Sequence, residues 1–366
     1  MEQVIFIVLM IFQTVMQILI PVVMRKTHVF GVYVPEEYKD VSSVRFYKKL
    51  YIISYSAVSF AFIAGYVVWM SKLNSSMIAA LGMVLLLSTM IWGLILYFYC
   101  HGKMLELKRR AGWSSALKEI NITDLSARKL DEMLPWYIVA MPILLTLGLS
   151  VLTLTHYTHI PNIIPTHWGA NGQPDSFTEK SYVSVLTLLL VLMVMQAMFV
   201  AIHEFTRKSG IKISATNKSG SKTRQLLMRK YNSWFLTIIT LVITILLSFL
   251  QLSIIYPGIF DETLMLLFPL VFLAVVLIGT LVYAVKVGKL NMKLEAVTND
   301  DATKEVSDFD ADYHWKAGLF YFNKNDPSLF VEKRFGIGWT INFARPLGYV
   351  LIIGPLVLII LVTSFL

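Results

Sequence analysis

Thirty of the 32 lysines and arginines fall in alternate intervals between eight long apolar stretches. The stretches lie near residues 3–24, 51–70, 77–99, 136–156, 181–203, 233–256, 264–285 and 347–366, and none carries Asp, Glu, Lys or Arg in its central part. Crossing a hydrocarbon layer takes roughly 20 apolar residues, so each stretch is a candidate span. Backbone groups in lipid must bond internally, which leaves helices or a closed barrel, and barrel-like alternation is absent from the sequence. The intervals after stretches one, three, five and seven hold 6, 7, 8 and 9 basic residues, against 1, 1 and 0 after stretches two, four and six. Positive residues stay on the cytoplasmic side. The expectation is an all-α polytopic protein of the cell membrane with about eight transmembrane helices. Its small β-rich loop region is expected to be cytoplasmic and both its termini extracellular.

Only 15% of the residues are charged, against about 25% in soluble domains. A net charge of +9 would suggest nucleic acid in a soluble protein. Here the excess sits in loops on one side, so the expected partner is the lipid bilayer and no nucleic acid. Cys100 is the only cysteine, which excludes an intramolecular disulfide and a thiolate zinc site. The run His203-Glu204-Phe205-Thr206-Arg207 begins like a zinc-protease helix but has Arg where the second His ligand belongs. Gly336-Ile337-Gly338 has no following helix to cradle phosphate, and no Gly-x-Ser-x-Gly elbow occurs. A non-enzymatic chain without a cofactor is expected. The first stretch lacks a positive lead-in, which predicts a retained span.

The chain divides into residues 1–135, with three spans and two basic loops, and 136–206, a two-span unit around an outer loop at 157–180. Residues 207–285 add a basic loop and two spans, 286–346 an acidic linker with an aromatic β-rich segment, and 347–366 the last span. The first loop contains FGVYVP, consistent with a short strand ended by Pro35. The loop after the fifth stretch is rich in Gly, Ser, Thr and Lys, which predicts flexibility. Asp300, Asp301, Glu305, Asp308, Asp310 and Asp312 lack calcium-loop spacing and read as a solvated linker. Beyond them, Leu319 to Phe322 reads as a strand, Lys324 to Pro327 as a turn, and Ser328 to Phe343 as one or two strands. Such a ribbon is marginal alone, so it should pack on the membrane surface or on FGVYVP.

The outer loop is the most unusual interval. Pro161 and Pro165 stiffen it, Asn171-Gly172 offers a tight turn, and His167-Trp168 sets a titratable ring beside a large aromatic. These features suit recognition, or a structural cap with Trp168 as an interfacial anchor. His156, His159 and His167, near Asp175, are weak metal candidates whose spacing matches no metal motif. Within the spans, Gln13, Gln17, Gln196 and Gln251 are expected to bond helix to helix. Pro142, Gly148 and Pro269 are candidate kinks.

IPTHWGANGQPDSF resembles the short extracellular signature, Pro-x-His-aromatic followed by Gly and Asp, of a membrane domain in bacterial SdpI-type immunity proteins. The matching positions are Pro165, His167, Trp168, Gly172 and Asp175. DPSLFVEKRFGIGWTINFARP is similar to the C-terminal signature of an uncharacterised family that often accompanies it. The resemblance implies protection against a toxin, or sensing of an extracellular peptide or envelope signal with relay to a cytoplasmic regulator. The outer loop would be the ligand site; Phe330, Arg334, Phe335, Gly336 and Trp339 would form the partner site. The alternative is a small-solute permease or channel-like transporter, with substrate passing among the glutamine-bearing spans.

Overall fold

The computed structural model describes residues 2–24, 27–113, 118–120, 122–123, 130–169, 172–213, 218–295, 306–308 and 312–364. Among them are eight helices long and apolar enough to cross a membrane. They are α1 (Glu2–Val23), α2 (Ser42–Trp69), α3 (Ser75–Ala111), α4 (Trp136–Thr155), α5 (Tyr182–Lys208), α6 (Lys218–Ile255), α7 (Glu262–Glu295) and α8 (Pro346–Thr363). Asn74 caps α3 by accepting the Met77 amide at 2.9 Å, and Gly112 ends it in the left-handed conformation.

Five helices run well past the apolar stretches at the ends the sequence assigns to the cytoplasm, α5 among them, which continues to Lys208. α2 begins before Arg45, Lys48 and Lys49, and α3 continues through Lys108, Arg109 and Arg110. α6 starts at Lys218, so most of the segment expected to be flexible is helical; residues 214–217 lie outside the described set. α7 runs on to Glu295.

Among the described residues twelve short strands pair two by two. The first eight are β1 (His28–Val29), β2 (Val32–Tyr33), β3 (Lys118–Ile120), β4 (Ile122–Thr123), β5 (Ile163–Trp168), β6 (Pro174–Glu179), β7 (Lys212–Ile213) and β8 (Val306–Asp308). The last four are β9 (Trp315–Lys316), β10 (Phe320–Tyr321), β11 (Phe330–Glu332) and β12 (Trp339–Ile341). Five pairs are antiparallel, and β3 with β8 is parallel.

The chain forms two compact units that do not follow chain order. The first comprises residues 1–130, 210–228 and 284–344; the second comprises 131–209, 229–283 and 345–366. In the first, α1, α2 and α3 pack together, and Gln13 donates to Thr89 at 2.8 Å and to Tyr55 at 3.2 Å. Gln17 accepts from Tyr51 at 3.0 Å.

The first-loop hairpin is pressed into this unit. Val29, Phe30, Val32 and Val34 are buried with Tyr51, Tyr55, Tyr97 and Met104. Phe335 stacks on Phe30, so the C-terminal aromatic segment packs against FGVYVP. The hairpin turns through Phe30 and Gly31, at φ of 47° and 78°, and a second turn through Ala317 and Gly318 has φ of 51° and 69°. The two turns meet backbone to backbone: a Cβ on Gly31 would lie 2.7 Å from the Gly318 Cα. Tyr97 donates to the Ala317 carbonyl at 2.9 Å beside them. Gly31→Ala combines a left-handed backbone with this clash and should cost about 2–4 kcal/mol, read as a lower unfolding midpoint in detergent.

In the second unit α5 packs against α4 and α8. Gln196 donates to Thr146 and Thr244, each at 2.9 Å, and Gln251 donates to Thr153 at 3.1 Å and to the Val185 carbonyl at 2.9 Å. Gln13, Gln17, Gln196 and Gln251 therefore all join helices. Interhelical hydrogen bonds in lipid average about 0.6 kcal/mol, so Gln196→Leu should lower stability by roughly 0.5–2 kcal/mol without preventing insertion. A thermal melt of the purified variant checks this.

Candidate functional site

The loop between α4 and α5 holds a β-hairpin. β5 pairs with β6 in the register Ile163↔Glu179, Ile164↔Thr178, Pro165↔Phe177, His167↔Ser176 and Trp168↔Pro174, shifting on either side of His167. Pro165, expected to stiffen the loop, sits inside a strand, where proline is normally disfavoured. The Lys180 amide donates to the Asn162 carbonyl at 2.8 Å, which makes that facing pair hydrogen-bonded. Alternation then makes Pro165↔Phe177 a non-bonded pair, where a missing N–H removes no ladder bond.

The hairpin is mounted firmly on its own unit. Ile164 is 1% exposed in a cluster with Leu149, Ile160, Val185, Leu189, Ile254 and Ile255, and Trp168 packs against the same cluster. Gly172, at φ of 77°, lies so close to the start of α7 that a Cβ would meet the Leu266 amide nitrogen at 2.8 Å. Asn171 lies outside the described residues. At the base, Lys180 donates to the Ile160 carbonyl at 2.6 Å and lies over Tyr157, which stacks on Tyr182 at 4.2 Å. Ser181 and Ser184 form a reciprocal cap that fixes the entry into α5.

The five signature residues therefore divide by role. Pro165, Trp168 and Gly172 shape and anchor the hairpin. His167 and Asp175 face solvent, with side chains 68% and 52% exposed and His167 Nδ1 2.5 Å from Asp175 Oδ1. That pair can accept or donate hydrogen bonds and offers a carboxylate to a cationic group. Phe177 and Ile163 are exposed nearby.

The histidine metal candidates separate. His156 contacts Tyr256, with Nε2 3.1 Å from the hydroxyl, and its ring lies 6.2 Å from that of His159, while His167 is held by Asp175. Among the described residues no three His, Cys, Asp or Glu side chains are grouped to hold a metal. His203 is fully buried, 2.8 Å from the Ser233 hydroxyl.

The candidate partner residues point largely inward. Phe330 and Arg334 are buried, and Phe335 lies against Phe30 and Tyr97. Trp339 is half-buried opposite Glu332, and Gly336, at φ of 91°, shapes the turn between β11 and β12. Arg334 pairs with Asp312 and lies over Trp315, and Lys108 donates to Asp312 at 2.6 Å. Asp312 is thus an ion-pair centre, which corrects its reading as solvated linker. Asp300, Asp301, Glu305 and Asp310 lie outside the described residues.

Sequence reasoning missed two further groups. Buried Arg224 holds Glu332 through two bonds of 2.7 and 2.6 Å and donates to Asn291 at 3.0 Å; Asn291 donates to the Val23 carbonyl at 2.7 Å. Arg229, 3% exposed, donates to the last carbonyls of α5 at Thr206, Arg207 and Ser209 and lies 3.1 Å from Asp131. Their positions in basic loops gave positive-inside residues as a sufficient reading, which hid the pairings.

Comparison with known proteins covers both segments. Residues 138–193, which include the hairpin, match a domain of unknown function, DUF1648, and residues 324–349 match a family of unknown function, DUF5808. No curated protein and no solved structure matches the chain. The chain is thus a helical protein with eight candidate membrane spans that carries two domains of unknown function.

Proposed function

We propose that this is a non-enzymatic membrane protein in which the β5–β6 hairpin recognises an extracellular peptide or envelope signal. The observation that carries the reading is the His167–Asp175 pair: two polar side chains, mutually oriented and exposed, on a hairpin whose other face is locked into buried apolar structure. Binding sites are commonly loop residues held by a rigid scaffold, and a pair with nothing packed on it contributes little to folding. The alternating distribution of lysine and arginine supports an orientation with both termini outside, in which this pair would lie beyond the membrane. The occurrence of DUF1648 in SdpI-like membrane proteins supports an immunity or signal-sensing role. The DUF5808 segment, tied through Arg224, Asn291 and Val23 to the inner ends of α6, α7 and α1, would relay occupancy to a cytoplasmic regulator.

His167→Ala and Asp175→Ala should each abolish resistance or signalling in cells exposed to the cognate antimicrobial peptide. Their unfolding midpoints should shift by less than about 0.5 kcal/mol equivalent, as expected at exposed positions. Wild-type resistance and signalling in both variants, at equal membrane abundance, would remove this function.

A further inference from the structure

We propose that the C-terminal aromatic segment is a lipid-binding surface. Phe320, Phe322 and Phe343 enter the headgroup boundary of the bilayer, and Lys316 meets anionic headgroups beside them. This goes beyond the recognition reading and does not depend on it.

The β9–β10 ribbon has two unlike faces. Tyr321 faces Trp315 in the register, with ring centroids 5.1 Å apart, and is only 2% exposed. The next pair, Phe320↔Lys316, turns the other way, because successive strand residues alternate. Phe320 is 47% exposed, and Lys316 is exposed beside it. The Phe322 amide donates to the His314 carbonyl at 2.8 Å, which carries the pairing one residue further, and Phe322 is 41% exposed. Phe343 joins them from the chain beyond β12. Its amide donates to the Tyr321 carbonyl at 2.8 Å, and its ring meets Phe320 edge-on at 5.3 Å. An open apolar patch of this kind marks a contact with another molecule or a membrane.

The chain sets this patch at the depth of the bilayer boundary. Tyr97 donates to the Ala317 carbonyl at 2.9 Å, and Gly318 lies so close to Tyr97 and His101 that a Cβ would clash with both. Tyr97 belongs to the last turn of the third apolar stretch, and the first charged residue after it is Lys103. Phe320 follows Gly318 by two residues, which is at most about 7 Å of chain. At the other end, Phe343 precedes Pro346, the first residue of α8, by three residues, or at most about 10 Å. Both paths start where a candidate span leaves the hydrocarbon. Exposed phenylalanines at that level bury their rings at the headgroup–acyl boundary.

Charge selects the same occupant. Residues 312–344 contain three acids, each held within the fold: Asp312 by Arg334 and Lys108, Asp326 by the Tyr321 hydroxyl at 2.8 Å, and Glu332 by Arg224. Lys316, Lys324 and Lys333 are exposed. A basic, aromatic surface at this depth complements anionic lipid headgroups. A soluble protein partner would instead leave the patch in water when that partner is absent.

The test uses the full chain in nanodiscs with Cys100→Ser, so that one added thiol carries a nitroxide label. The label is placed by Phe322→Cys, by Ile91→Cys as the lipid-facing reference, and by Arg109→Cys as the water-facing one. Ile91 is exposed in the middle of the third apolar stretch, and Arg109 lies about 15 Å beyond Tyr99 along α3. Oxygen concentrates in lipid, whereas a polar nickel chelate stays in water. The oxygen-to-nickel collision ratio at residue 322 should be several-fold above that at 109 and below that at 91. It should rise when phosphatidylglycerol replaces part of the phosphatidylcholine, and Lys316→Glu should abolish that rise. Equal ratios at 322 and 109 in both lipids, with 91 still reading lipid, overturn the proposal. A lipid-like ratio at 322 that ignores both phosphatidylglycerol and Lys316→Glu overturns the selection of anionic headgroups.

Discussion

Arg229→Met should destabilise the protein by about 3–5 kcal/mol, the range for removing one member of a buried ion pair. Asp131, whose side chain is 10% exposed, would be left as an uncompensated carboxylate. The carbonyls of Thr206, Arg207 and Ser209 would also lose a charged donor at the C-terminus of α5, where a cation is favoured by the helix dipole. Methionine keeps much of the side-chain volume, so the loss is electrostatic rather than a cavity. Chemical denaturation in detergent would read it. The double variant Arg229→Met with Asp131→Leu should recover much of the loss, since the stranded charge goes with its partner. A double variant no more stable than the single one would assign the effect to the carbonyl contacts alone.

Asp312→Ala carries a comparable expectation in the other unit. Its carboxylate is shared by Arg334 and Lys108, each about 8% exposed, so its removal leaves two buried cations facing each other. The cost should again be about 3–5 kcal/mol. It should concentrate on the aromatic segment: limited proteolysis should cut residues 315–343 faster, while the apolar spans stay protected. Arg334 also donates to the Gly31 carbonyl at 3.4 Å, so contact with the first hairpin weakens in the same step. Uniform cleavage along the chain would show that Asp312 does not hold this segment locally.

The spans were legible because lipid imposes a simple demand. Each needs about 20 apolar residues, and the basic partition fixes which ends lie together. Helix ends were less legible for a related reason. An apolar window stops at the first charges, but a helix continues where those charges find partners, as Lys108 does with Asp312, Arg224 with Glu332 and Arg229 with Asp131. Hydropathy cannot see partners that lie far along the chain.

At the hairpin, the sequence signature grouped residues that the structure separates. Proline normally demotes a strand, and only the register reveals that Pro165 occupies a position where its N–H is not required. Trp168 and Gly172 shared a signature with His167 and Asp175. Their separation into mount and exposed pair depends on Leu266 at the start of α7 and on the buried cluster around Ile164. The acidic run misled differently: a charge run is usually solvated, and only the fold turns Asp312 inward.

The most direct check is surface labelling of the hairpin in living cells. Cys100 is the sole cysteine and is buried, so Cys100→Ser with Ser176→Cys provides one exposed thiol on β6. Labelling of intact cells by a membrane-impermeant maleimide is the result the account requires. Labelling only after permeabilisation would put the His167–Asp175 pair on the cytoplasmic side and contradict recognition of anything outside the cell.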